Sequence, residues 1–285
     1  MSLKDINRSH SYLDKGGREA DGNPKGFFGW GLVAFIDLLG FSADLASSWS
    51  DGDESPLARL LRIKEAAARI PDSGILAYFP GKPSFDPKIH RARVHTVSDS
   101  IVVCCALPPA GELHHITMAM TVVSHGVQMA WAAAIREGYT IRGAIELGEI
   151  YWSESETIGP AFVASYCLES KIAGISRVVL GPLFLANLLK RMNDDWSEWP
   201  SSEWFSVSED NLIEISLHTL KENLRGDLEG LEALKRNAGA NAYRYDHVLE
   251  TLRADTFRKA SRGDIERGKA EIESRSEKAR TNINK

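Results

Sequence analysis

The sequence predicts an α+β fold: an antiparallel sheet with helices on one face, in the ferredoxin-like split βαβ arrangement, followed by a helical C-terminal extension. Three observations predict it. Apolar runs of strand length alternate with runs of helical period in the order strand, helix, strand, strand, helix, strand, helix, strand. Two of the strands are consecutive and meet at a tight turn, as an antiparallel hairpin does. From about Leu217 the composition shifts to charged segments with leucines at helical spacing.

The elements follow in order. Residues 1–28 are polar and Gly-rich (KGG, DGNP) and read as a flexible arm. GWGLVAFIDLLGF, Gly29 to Phe41, holds a buried strand centred on Leu32 to Ile36 and interrupted by Asp37. Ser42 to Ile70 is mostly helical, broken by SDGDESP, and Pro56 suits the first turn of its second half. Residues 71–90 are Pro-rich loop with a short strand at ILAYF. Arg91 to Leu107 reads as two strands joined at Ser98-Asp99-Ser100. Leu113 to Glu137 reads as a helix stopped by Gly138. Thr140 to Trp152 is a strand containing glycines that permit close approach. Gly159-Pro160 opens the helix AFVASYCLESKIA, and Arg177 to Leu180 is a short strand. In the tail, Leu220, Leu224, Leu228 and Leu231 form a stripe fit for packing or dimerisation, and the last twenty residues read as a frayed, solvated helix. The domain boundaries expected are 1–28, 29–215 and 216–285.

Composition narrows the function classes. A net charge of -5 argues against a nucleic-acid partner, which calls for a basic surface. The Trp-rich stretch WSEWPSSEWF, Trp196 to Phe205, carries no basic residues and reads as a surface-packed loop or partner contact. Cys104, Cys105 and Cys167 form no CxxC pair, which points to buried thiols in a reducing compartment. The start, MSLKDINRSH, has no apolar leader core, and no apolar run approaches about 20 residues. The expected location is the cytoplasm, with no membrane contact.

Asp37 and Asp99 are the residues placed to carry chemistry. One lies at the end of an apolar strand and the other at a hairpin turn. Brought side by side, they can bind divalent cations that clamp the attacking and leaving oxygens of a phosphoryl displacement. The alternative from spacing alone is that Asp37 caps the next helix and Asp99 makes a turn. Between strand and helix, the backbone of Leu38 to Ala43 can cradle phosphates, with Gly40 allowing close approach.

FIDLLGFS, Phe35 to Ser42, resembles the first-strand motif of class III adenylate and guanylate cyclases. IRGAIELGEIYW, IGPAFVASYCLESKIA and SRVVLGP look like the later strand, loop, helix and strand block of that family, so the resemblance covers about Gly31 to Pro182. It implies that Asp37, the Leu38 carbonyl and Asp99 hold two divalent ions, Mn²⁺ or Mg²⁺, and that Phe35, Leu38, Leu39, Gly40 and Phe41 border the nucleotide. The forms VSDS, RGAI and GPAFVASYCLES are similar to the pyrimidine cyclases of Pycsar anti-phage systems. That likeness implies conversion of UTP or CTP to the 3′,5′-cyclic monophosphate and pyrophosphate, with UTP preferred. It also implies a homodimer with interfacial active sites and a separate effector activated by the cyclic nucleotide.

Departures from the purine pattern matter here. The helix Asn and Arg of purine cyclases fall on Val163 and Cys167, neither of which can stabilise the leaving pyrophosphate. Arg142, expected to reach across from a partner subunit, is the leading replacement, with Arg91, Arg93 and Arg177 as alternatives. The base-reading Lys falls on His95, and either His95 or Arg93 can donate to a pyrimidine carbonyl. Glu169 reads as part of a helix-face ion pair, and Glu149 is not assigned to the site. Two other functions fit: an inactive cyclase fold that senses nucleotide, motivated by Val163 and Cys167, and a cyclase acting on a purine substrate.

Overall fold

The centre of the sheet is a 13-residue strand, β1 (Phe27–Leu39), whose buried residues run almost its whole length. The computed structural model describes residues 26–49, 52–69, 92–107, 113–153, 156–191, 204–254 and 258–283. Antiparallel to β1 on one side lies the hairpin β2 (Ala92–Val97) and β3 (Ser100–Ala106), and on the other β4 (Thr140–Trp152). The short β5 (Thr157–Ile158) pairs with β4. Beyond β4 come β6 (Val178–Leu180), parallel to it, then β8 (Ile213–Ile215) and β7 (Phe205–Val207), giving the order β2-β3-β1-β4-β6-β8-β7. The molecule is therefore α+β with a mostly antiparallel sheet, as the alternation of runs predicts.

The two faces of β1 enter different cores because side chains alternate across a strand. Leu32, Ala34, Ile36 and Leu38 pack with α2 (Pro56–Ala68) and α3 (Leu113–Arg136). Val33 and Phe35 pack with Ala161 and Phe162 of α4 (Pro160–Leu168). The helices thus cover both faces, not one: a Cβ at Gly148 would crowd Ala161 at 3.3 Å, and the glycine's lack of one lets α4 settle there. A single turn of π-helix, Glu169–Ala173, prolongs α4.

Local signals account for most element ends. Ser55 caps α2, its hydroxyl accepting from the Ala58 amide at 3.1 Å, and Pro56 opens the helix. Gly138, at φ +81°, ends α3 in the left-handed conformation, where the Gly138 and Tyr139 amides donate back to Ile135 and Ala134. SDGDESP separates α1 (Phe41–Ser47) from α2.

Other expectations change. Phe27 and Phe28, read as the end of the arm, begin β1. Trp204 and Phe205 are core residues, not surface loop. The stretch ILAYF, Arg91 and most of WSEWPSSEWF lie outside the described residues. A 19-residue stretch of α3, Met118–Arg136, is long and apolar enough to cross a membrane, but it is mostly buried inside the fold, as in a core helix.

After the sheet the chain runs through α5 (Pro182–Arg191), placed before β7, then α6 (Lys221–Leu224), α7 (Leu228–Asn237), α8 (Tyr243–Arg253) and α9 (Arg262–Ile283). The leucine stripe packs inward: Leu224 and Leu231 are fully buried and Leu220 and Leu228 lie against the core. The final segment is a continuous 22-residue helix with Ile265 and Ile272 buried, not a frayed one. Asp210 joins it to the sheet by receiving Arg275 of α9 and Arg177.

Candidate functional site

Asp37 is the third-last residue of β1, opposite Ser100 of β3 and Arg142 of β4. Paired residues of an antiparallel ladder share a face, so register alone puts Asp37 and Arg142 together. Arg142 Nη2 lies 3.4 Å from Asp37 Oδ2, and Arg142 Nε donates to Glu169 Oε1. Asp99 is in the two-residue turn between β2 and β3, where Ser98 takes φ +52°, and its carbonyl accepts from the Leu38 amide at 3.3 Å. The turn is thereby tied to the strand that bears Asp37.

Burial pushes the Asp37 carboxyl above its usual pKa and the nearby Asp99 charge pushes it further, against Arg142 and a hydrogen bond from Ser100. Burial likewise raises Glu169, against the Arg142 charge. Lys64 of α2 lies close enough to feel the Asp99 charge, while burial lowers its own pKa. Two carboxylates forced together in a half-buried setting are relieved by a cation. The Asp37 and Asp99 carboxylates and the Leu38 carbonyl are the oxygen donors here that could hold a hard divalent cation such as Mg²⁺ or Mn²⁺. Among the described residues no group of three or more His, Cys, Asp or Glu side chains could hold a metal.

A cavity of about 620 Å³ opens beside these groups, lined by Asp37, Asp99, Arg142 and the backbone run Leu38 to Gly40. Gly40 adopts φ +93° at the start of α1, with its carbonyl accepting from the Asp44 amide at 3.1 Å. Asp44, also on the lining, accepts from Tyr139 and Arg59. The far wall comes from the C-terminal segment: Asn237, Asn241, Arg244 and Tyr245.

The cavity brings together Asp37, Leu38, Leu39, Gly40, Asp99 and Arg142. Phe35 is 9% exposed, with its ring edge-on to Phe162 and Tyr166, and Phe41 packs in the core against Tyr139. Neither lines the cavity. Arg93 and His95 pair with Cys104 and Val102, on the face that carries Asp37 but in the next rows of the sheet. Burial and the Arg93 charge lower the His95 pKa, and among the described residues its shielded Nε2 has no hydrogen-bond partner. Arg177 is removed from the alternatives, since it is 6% exposed and held by Asp210 and the Ala173 carbonyl. Arg142 reaches Asp37 within one chain, so no partner subunit is needed to bring it there.

Val163, Cys167 and Glu149 line a second cavity of about 910 Å³ between α4 and α9. Glu146, 3% exposed, borders it and accepts from the Leu147 and Phe184 amides at 2.8 and 3.0 Å. Sequence reasoning missed Lys64, the Glu169 contact to Arg142 and the C-terminal wall. No local pattern marks them, because each depends on a contact between distant segments.

No family model and no curated protein matches the chain. Solved structures similar to it include a class III adenylyl cyclase-like ATP-binding protein from Pseudomonas aeruginosa, at 14% identity and TM-score 0.39, covering 58% of this chain and 36% of that one. The guanylyl cyclase Cya2 aligns at 15% identity and TM-score 0.34 over 57% of this chain and 80% of that one. A bacterial light-regulated adenylyl cyclase aligns at 14% identity and TM-score 0.38 over 79% and 67%. The chain thus spans little more than a third of the first of these. At such identities the residues, not the likeness, carry the functional argument.

Proposed function

We propose that the chain is a nucleotidyl cyclase that converts a pyrimidine nucleoside triphosphate, UTP before CTP, into its 3′,5′-cyclic monophosphate and pyrophosphate. The observation that carries this reading is the convergence of Asp37, Asp99 and Arg142 on one cavity beside the Leu38 to Gly40 backbone. Asp37, Asp99 and the Leu38 carbonyl would hold divalent ions, which when bound activate the ribose 3′-hydroxyl and neutralise the triphosphate. The 3′-oxygen forms its bond to the α-phosphorus as the bond to pyrophosphate breaks, and the hydroxyl proton passes to water. Arg142, oriented by Glu169, meets the charge that builds on the transferring group. The β1 to α1 backbone faces the phosphates, and no covalent enzyme intermediate is required. His95 and Arg93 are proposed to read the pyrimidine edge. The product would act as a second messenger in anti-phage defence through a separate effector, and the enzyme would work as a homodimer in the cytoplasm.

One observation favours a second reading. Val163 is 54% exposed on α4, where purine cyclases present a polar ribose contact, which fits a nucleotide-binding module without turnover. Incubation with each of the four nucleoside triphosphates and Mn²⁺, followed by chromatography, separates the two. A cyclic pyrimidine product that disappears in Asp37→Ala and in Asp99→Ala supports the cyclase. Nucleotide binding without product from any triphosphate supports the module, and a cyclic purine product rejects the pyrimidine assignment.

A further inference from the structure

The wall of the cavity that faces Asp37 and Asp99 is built by Asn237, Asn241, Arg244 and Tyr245, far later in the chain. Helices α7 and α8 form a hairpin whose arms are joined by Lys235 and Asp246, and whose packing buries Leu231, Val248, Leu249 and Leu252. Two contacts fix the start of α8 against the catalytic core. The Arg244 carbonyl accepts from the Ser176 amide at 3.0 Å, just before β6. The Tyr245 hydroxyl lies against Gly40, where a methyl group added at that glycine would meet it at 2.3 Å. The residue before it in the chain, Arg244, lines the same cavity as the two aspartates. Its Nε is shielded from solvent and has no hydrogen-bond partner among the described residues.

A guanidinium whose nitrogen is removed from water and left unpaired is costly unless something else completes it. Here the side chain borders a cavity next to a backbone cradle suited to phosphates. Arg142, the other arginine on the lining, is already engaged by Glu169 and Asp37. A triphosphate added to two carboxylates carries more negative charge than two divalent ions cancel, so a further cation is called for. We propose that Arg244 binds the terminal phosphates of the nucleotide, so that the C-terminal hairpin is a working wall of the site. The inference rests on the nucleotidyl cyclase reading, and it makes Arg244 a positioning residue for substrate and for departing pyrophosphate. Planar, forked donors suit phosphate oxygens better than a point charge does.

The test uses the full chain with Arg244→Gln and Arg244→Lys. Calorimetric titration with magnesium tripolyphosphate reads the anion site without turnover. The expected result is affinity weakened roughly 10- to 100-fold in Arg244→Gln and partly restored in Arg244→Lys. In the cyclase assay KM for the triphosphate should rise by a similar factor while kcat changes less. Thermal melting of both variants at the wild-type temperature would exclude a folding defect. Should Arg244→Gln misfold, the Arg244→Lys variant carries the test, since the loss of the fork alone should still weaken tripolyphosphate several-fold. Unchanged tripolyphosphate affinity and KM in a cyclising enzyme would overturn the role of Arg244 and leave the cyclase reading standing. Arg244-dependent tripolyphosphate binding by a wild-type chain that cyclises nothing would overturn the cyclase reading and leave the anion site standing.

Discussion

Arg142 and Asp37 are register partners on adjacent strands, and their side chains meet at 3.4 Å on the face that also carries Glu169. The guanidinium opposes the upward push that burial and Asp99 give to the Asp37 pKa, which still stands above its usual value. It is held from behind by Glu169, on the π-helical turn after α4. Arg142→Ala should lower kcat of the proposed cyclisation roughly 100-fold or more, the scale for loss of one group that stabilises transition-state charge. Arg142→Lys should recover only part of it, because lysine cannot serve Glu169 and Asp37 through one planar fork. A kcat left intact in Arg142→Ala would take this residue out of the reaction.

Gly40 is constrained twice, by φ +93° and by the Tyr245 hydroxyl. Gly40→Ala should cost roughly 1–2 kcal/mol in urea denaturation from the backbone conformation alone, with the clash in addition. Tyr245→Phe in that background removes the hydroxyl, and the next ring atom stands at an ordinary 3.6 Å. The double variant should therefore recover the steric part of the loss and retain the backbone part. No recovery would mean that the hydroxyl yields readily to the added methyl.

Glu146 gives a stability that falls as pH rises. Burial pushes its pKa from 4.5 up to about 7, although the Leu147 and Phe184 amides favour the carboxylate. Between those values the folded chain keeps a proton that the unfolded chain has lost, so unfolding free energy declines by about 1.4 kcal/mol per pH unit, or roughly 3 kcal/mol in all. Glu146→Gln should flatten this part of the profile between pH 5 and pH 8 in urea titrations. A parallel slope in wild type and variant would place the titrating group elsewhere.

Asp210 is the partner of Arg177, whose side chain is 7% exposed, and of Arg275 on α9. Asp210→Ala leaves Arg177 with only the Ala173 and Ile172 carbonyls and, since the Asp210 side chain is itself 36% exposed, should cost roughly 1–2 kcal/mol. Burial acts to raise the Asp210 pKa, but hydrogen bonds from Arg177, Ser208 and Arg275 hold it well below the usual carboxylate range. Its contribution is thus complete above the unfolded value near 3.8 and fades as pH falls through the folded value. Acid unfolding of wild type and Asp210→Ala should converge at the lowest pH, and a constant gap would contradict the assignment.

Much of the scaffold was legible because its signals are local. The glycine-bearing apolar run Thr140 to Trp152 matched β4 to the residue, Pro56 marked the start of α2, and Gly138 marked the end of α3. Asp37 and Asp99 stood out for a similar reason: a charge at the end of an apolar strand and a charge in a two-residue turn are visible without any partner. Phe35 and Phe41 belong to the same motif but line no part of the cavity: Phe35 of β1 packs in the cluster with Phe162, while Phe41, the first residue of α1, packs in the main core.

By itself, then, the sequence determined most strands and helices up to β6, though not β5, β7, β8 or α5, and it singled out two carboxylates, one near a strand end and one in a turn, since propensity, period and capping act within a few residues. Only the tertiary structure decided that α4 lies on the second face, that Arg142 serves Asp37 within the same chain, that Arg177 is occupied by Asp210, and that Arg244 closes the cavity. Those are matters of strand register and of contacts across tens to hundreds of residues. No short-range pattern encodes them, because they follow from how the elements bury one another's apolar faces.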